Sequence, residues 1–131
     1  IAGFPTETDD MFENTLRSVE ECDLTYLHVF PYSERPGTPA ARMPQVPVEV
    51  RKERAARLRA AGEARLAAYL GSRIGTEAEV LMEKPGVGRT EHFAPIALDT
   101  DVAPGTILRA RVTGAGADQL TGQPVDIRTA A

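Results

Sequence analysis

The sequence predicts an α+β chain in two parts. A helix–strand unit of an α/β sheet or barrel runs into a long helix, and a small antiparallel β-barrel follows. Three features point there. Apolar residues recur at helical spacing before residue 22 and again between residues 47 and 70. Between those stretches, residues 24–30 are rich in β-branched and aromatic types. After Gly71, short alternating stretches are separated by Gly, Pro and Asp clusters.

Ile1-Ala2-Gly3-Phe4-Pro5 reads as a strand end entering a turn. Thr6 or Thr8 can then cap a helix, with Glu7, Asp9 and Asp10 favourable at its positive end. Phe12, Leu16, Val19 and Cys22 recur at helical spacing, which predicts a helix over about residues 9–22 with Cys22 as a small residue on its buried face. Residues 24–30 are predicted as a strand, with Tyr26, His28 and Phe30 on one face and Leu27 and Val29 on the other. A strand apolar on both faces suits a parallel sheet covered by helices. One such unit cannot close a barrel, so further barrel elements are expected before Ile1.

Pro44 and Pro47 lead into the longest helix, predicted over about residues 47–70, because proline is tolerated in a first helical turn. Val50, Leu58, Ala61, Leu66, Tyr69 and Leu70 give it an apolar side, and Arg51, Arg54, Arg57 and Arg65 a basic one. Gly62 weakens its middle, and Gly71 is the expected stop. Beyond it, residues 78–82, 90–98, 107–112 and 124–127 are predicted strands, with a hairpin turn at Gly86-Val87-Gly88. Domains are therefore expected at 1–70 and 71–131. The second, at about sixty residues, is marginal alone and gains from docking on the long helix.

Charge is unevenly spread. Residues 1–41 hold two Arg against eight Asp or Glu, residues 42–70 seven Lys or Arg against three Glu, and residues 71–131 six against eight. A polyanion would be drawn mainly to the middle third. The single cysteine, Cys22, excludes an internal disulfide and a multi-cysteine metal site within this chain. No apolar run is long enough to span a membrane, so no membrane partner and a cytoplasmic setting are expected. Neither a nucleophile–base motif nor a phosphate loop is present, and no catalytic residue is expected in this chain. Ligands bind at strand ends in α/β sheets and barrels, which draws attention to Gly3-Phe4-Pro5-Thr6-Glu7-Thr8 and to Pro31-Tyr32-Ser33-Glu34-Arg35-Pro36-Gly37-Thr38.

GFPTETDDMFENTL, YLHVFPYSERPGTPAARMPQVP and VRKERAARLRAAG, taken in order, resemble the C-terminal part of the radical S-adenosylmethionine tRNA methylthiotransferases. The branch most resembled acts on threonylcarbamoyladenosine beside the anticodon, and GRTEHFAPI is similar to the terminal TRAM barrel, an OB-like fold. The resemblance implies a C-terminal fragment of the radical S-adenosylmethionine barrel, a connector helix and the TRAM domain. It implies cleavage of S-adenosylmethionine by a 4Fe-4S cluster to a 5′-deoxyadenosyl radical, which abstracts hydrogen from the base before a methylthio group is installed. The cluster's CxxxCxxC ligands are absent here, so no metal site and no bound cofactor are expected in this chain, which alone would be inactive. Gly3, Phe4, Pro5, Glu7, Ser33 and Arg35 are the implied cofactor-binding residues, and Tyr32, Gly37 and Thr38 the implied substrate pocket. Thr6 stands where the family usually has glycine.

An RNA surface favours positive side chains and aromatic stacking, so Arg51, Arg54, Lys84, Arg89, Thr90, His92, Phe93, Arg109 and Arg111 are the candidates for contacting a tRNA anticodon stem-loop. The acidic balance after residue 71 predicts weak, auxiliary binding. Exposed barrel edges predict possible dimerisation of the fragment. The alternative is a stand-alone, non-catalytic RNA-binding module.

Overall fold

The computed structural model describes residues 1–128. They form two compact units that divide between Arg65 and Leu66.

The first unit contains α1, Asp9–Glu21, and most of α2, Val48–Ser72. Thr8, not Thr6, caps α1: its Oγ1 accepts the Met11 amide at 3.2 Å. At the other end Asp23 adopts φ 52°, and the Asp23 and Leu24 amides donate to the Glu20 and Val19 carbonyls, each at 3.0 Å. That left-handed turn satisfies the last carbonyls of the helix. It also places Cys22 at the cap, where it is exposed instead of facing the core as its spacing predicted. Phe12 and Val19 pack with Ala2, Ala55 and Leu58 into a small core, flanked by Leu16, Leu27 and Val29.

Residues 24–30 are extended but do not form a strand. A strand is defined by its ladder, and the described residues supply one pairing beside it, the parallel bridge Ala2–Pro31. The Ala2 amide donates to Phe30 O at 2.9 Å and the Tyr32 amide to Ala2 O at 2.7 Å. Leu27 and Val29 are half-buried, whereas Tyr26, His28 and Phe30 are exposed, so one of the two expected buried faces is covered.

α2 starts directly after Pro47 and runs through Gly71, the expected stop; the left-handed residue comes later, at Gly75. Its last turns belong to the second unit. Leu70 is fully buried in the core of that unit with Leu66 and Tyr69 beside it. Burying one leucine there contributes ~2 kcal/mol to a marginally sized domain.

The second unit is a closed five-stranded barrel of β1 (Glu77–Lys84), β2 (Val87–Thr90), β3 (Pro95–Leu98), β4 (Ile107–Ala115) and β5 (Leu120–Arg128). The order around it is β1-β2-β3-β5-β4. Its pairs are antiparallel except β3–β5, which is parallel, so the barrel is mixed and not wholly antiparallel. The predicted strand 90–98 is two strands, broken after Thr90 by a turn that Thr90 itself holds. The hairpin turn is Pro85-Gly86, while Gly88 lies inside β2. A Cβ on Gly88 would sit 2.5 Å from Val80 Cγ1, which explains a glycine inside so narrow a barrel. Val80, Met82, Ile96, Leu98, Leu108, Ala110, Val112 and Leu120 point inward by strand alternation.

Candidate functional site

The bridge between Ala2 and Pro31 sets two loops side by side, residues 3–8 and 32–38. Phe4 and Tyr32 meet edge to face, ring centroids 5.4 Å apart. Gly3 takes φ 76°, and its amide donates to Glu7 Oε1 at 3.0 Å, folding the first loop on itself. Thr6 also takes a left-handed φ, 73°, where a β-branched residue is strained and glycine is not. In the second loop Gly37 has φ 85°, and Thr38 Oγ1 donates to Arg35 O at 2.8 Å. Ser33 and Arg35 are exposed, and Arg35 has no ion pair among the described residues. Tyr32 Oη is buried with no hydrogen-bond partner among them. Pro5 is buried and Phe4 is exposed.

The two arginines expected on a basic, solvated face of α2 are instead buried: Arg51 is 6% exposed and Arg54 5%. Arg54 Nη1 donates to Glu7 Oε1 at 2.7 Å and to Glu7 O at 3.0 Å, while its Nη2 donates to Asp9 Oδ1 at 2.6 Å. Burial pushes its pKa down, but Asp9 and then Glu7 outweigh that and hold it above the ordinary arginine value. Arg51 donates from Nε to Val46 O at 2.6 Å and from Nη2 to Glu34 Oε1 at 3.0 Å and Gln45 Oε1 at 3.2 Å. Its guanidinium also lies 5.4 Å from the Tyr32 ring centroid. Both guanidiniums are committed to partners within the first unit. Arg57 pairs with Glu13 and Arg65 with Asp23, so the basic side of the helix is largely matched within its own unit. The signal was in the sequence: Arg51, Arg54, Ala55 and Leu58 repeat at the spacing of one inward helical stripe. Sequence reasoning missed Glu7, Asp9, Glu34 and Gln45 as their partners.

On the barrel, strand register gathers three of the RNA candidates. Arg89 of β2 pairs in register with Leu81 of β1, which pairs with Ile107 of β4; Arg109 faces Glu79 and Arg111 faces Glu77. Leu81, Ile107 and Phe93 are exposed, and with Arg89 and Glu79, Glu83 and Glu91 they line a surface groove of about 480 Å³. Phe93 is 73% exposed with φ 65°, so it is no core residue. Each arginine meets an acid: Arg89 Nε lies 2.9 Å from Glu83, and Arg109 and Arg111 lie 3.5 and 2.7 Å from the two oxygens of Glu77. Lys84 and His92 are exposed. Thr90 also lines this groove but is 7% exposed, and its hydroxyl accepts the Ala94 amide at 3.2 Å, which holds the turn after β2. Among the described residues no cluster of three or more His, Cys, Asp or Glu could hold a metal ion, and no helix is long and apolar enough to cross a membrane.

No protein-family model matches the chain. Individual relatives do. Over 114 residues, 87% of its length, the chain is 54% identical to the threonylcarbamoyladenosine tRNA methylthiotransferase of Rickettsia prowazekii (strain Madrid E). Over most of its length the chain is similar to a segment of the tRNA methylthiotransferase family. Two further members of that family, both tRNA-2-methylthio-N(6)-dimethylallyladenosine synthases, align over 130 residues and 94% of the chain. They come from Erythrobacter litoralis (strain HTCC2594), 41% identical, and Bartonella bacilliformis (strain ATCC 35685), 37% identical. The chain spans 27%, 29% and 28% of these three methylthiotransferases, in that order.

Proposed function

We propose that this chain is the C-terminal part of a radical S-adenosylmethionine tRNA methylthiotransferase. Its parent would methylthiolate a modified adenosine next to the anticodon, with threonylcarbamoyladenosine as the substrate. The observation that carries this is the 54% identity to a relative named for that nucleoside, against 41% and 37% for the two dimethylallyladenosine synthases.

Gly3, Phe4, Pro5, Glu7, Ser33 and Arg35 would border the cofactor, and Tyr32, Gly37 and Thr38 the substrate. The donors fit a cofactor that carries an amino-acid carboxylate. Arg35 is an exposed guanidinium without an ion pair among the described residues, and Ser33, two residues before it, adds an exposed hydroxyl. When bound, S-adenosylmethionine with a 4Fe-4S cluster supplies the radical chemistry. This chain does not fit the cluster itself, because its one cysteine sits exposed at a helix end. The cluster ligands belong to the rest of the parent.

The barrel would add weak contacts to the anticodon stem-loop through Lys84, Arg89, His92, Phe93, Arg109 and Arg111. Three arginines facing Glu77, Glu79, Glu83 and Glu91 give that face little net attraction for phosphate, which disfavours a stand-alone RNA-binding module. A tRNA substrate places the parent in the cytoplasm. The exposed Tyr26 and Phe30 support self-association of this chain when it is separated from its parent.

Mass spectrometry of nucleosides from tRNA of a strain lacking the gene tests the proposal. Loss of the methylthiolated form, with accumulation of its threonylcarbamoyladenosine precursor, is expected. An unchanged nucleoside profile would overturn it, and accumulation of a dimethylallyl precursor would redirect it to the sister substrate.

A further inference from the structure

Buried arginines need a reason. Replacing a buried ion pair by well-packed apolar side chains is often neutral or stabilising, so Arg51 and Arg54 are not explained by fold stability alone. What a guanidinium does provide is direction, because its planar fork fixes two partners at once. Arg54 grips Glu7 and Asp9 with its two terminal nitrogens, and the Glu7 oxygen it grips also receives the Gly3 amide. One turn earlier, Arg51 grips Glu34 of the second loop and lies over the Tyr32 ring. Arg51 also meets the first loop's other end: a Cβ on Gly3 would fall 2.6 Å from Arg51 Cγ. Tyr32 closes the circuit by packing on Phe4.

We propose that Arg51 and Arg54 are positioning residues, through which one turn of α2 fixes loops 3–8 and 32–38 relative to each other. This rests on the reading that those loops border the cofactor and substrate. Neither arginine touches either ligand; they act through Glu7, Glu34 and Tyr32. A lysine at either position keeps the charge and loses the fork, so it loosens the geometry more than the fold.

The test uses the full-length protein carrying Arg54→Lys, Arg51→Lys and, as a mild variant, Asp9→Asn, whose side chain is 93% exposed. Peptide-level hydrogen exchange is measured on loops 1–9 and 31–38, beside kcat, the KM for S-adenosylmethionine, and tRNA affinity at two salt concentrations. For Arg54→Lys we expect faster exchange in both loops, although Arg54 contacts only the first. We also expect a fall in kcat of about 10- to 100-fold, the scale on which misplacement by an ångström acts, with a raised KM and unchanged tRNA affinity and salt slope. Asp9→Asn should show the same pattern more weakly. Weakened tRNA binding with a shallower salt slope and unaltered loop exchange would overturn the proposal and return the arginines to RNA contact. Exchange that rises uniformly across the protein would also overturn it, leaving a purely structural role. If the wild-type protein fails to methylthiolate tRNA, the functional reading fails, while the exchange arm still decides whether the loops are coupled.

Discussion

Arg54 Nη1 lies 2.7 Å from Glu7 Oε1, and the same oxygen accepts the Gly3 amide at 3.0 Å. The Arg54 side chain is 6% exposed and that of Glu7 13%, whereas Asp9, the second partner, is 93% exposed. The two ion pairs of one guanidinium therefore differ in kind. Glu7→Gln leaves a buried cation with one solvated partner and should cost about 3 kcal/mol, near the low end for a broken buried pair. Asp9→Asn should cost less than about 1 kcal/mol, as exposed pairs do. Urea denaturation of the two variants checks the difference, and equal costs would contradict it.

Thr6 holds φ 73°, a conformation that a β-branched side chain resists and glycine adopts freely. Thr6→Gly should stabilise the chain by about 1 kcal/mol, the strain of one left-handed residue. A lower denaturation midpoint in this variant would show that the threonine makes a compensating contact.

Leu70 belongs to the barrel core although its helix begins in the other unit. Leu70→Ala should cost about 2 to 5 kcal/mol through lost burial and the cavity left behind. Faster hydrogen exchange should appear in β1 and β4. A cost below about 1 kcal/mol would mean that the barrel closes without the helix.

Glu77 sits opposite Arg111 in register and pairs with both Arg109 and Arg111. Removing its charge frees two cations on the outer face. Glu77→Gln should tighten binding of an anticodon stem-loop at low salt and steepen the log–log salt dependence by about one, as expected for one added phosphate contact. Unchanged affinity would remove Arg109 and Arg111 from the RNA surface.

The legible parts of the sequence are those whose signal is local. Phe12, Leu16 and Val19 announce α1, Pro47 announces α2, and the alternation around Val80 and Leu108 announces the barrel. What failed depends on partners that are distant in the chain. Residues 24–30 have strand-like side chains, but a strand requires a neighbour, and Ala2–Pro31 is the one pairing beside them. The break after Thr90 escaped notice because residues 90–98 are apolar enough to read as one strand, while the hydroxyl that ends it bonds four residues ahead. The parallel β3–β5 pair follows from barrel closure, which no local pattern encodes. The family motifs located both loops of the candidate site. They gave no sign that Arg51 and Arg54 are buried; that signal lay in the helical stripe they share with Ala55 and Leu58, and the carboxylates that receive them are distant in the chain.

The most direct measurement is a chimera in which this chain replaces the matching segment of the Rickettsia prowazekii relative, assayed for methylthiolation of tRNA. If the chain supplies the C-terminal part of such an enzyme, the chimera retains methylthiolation of the modified adenosine. A folded, cluster-loaded chimera that binds tRNA yet installs no methylthio group would contradict that role.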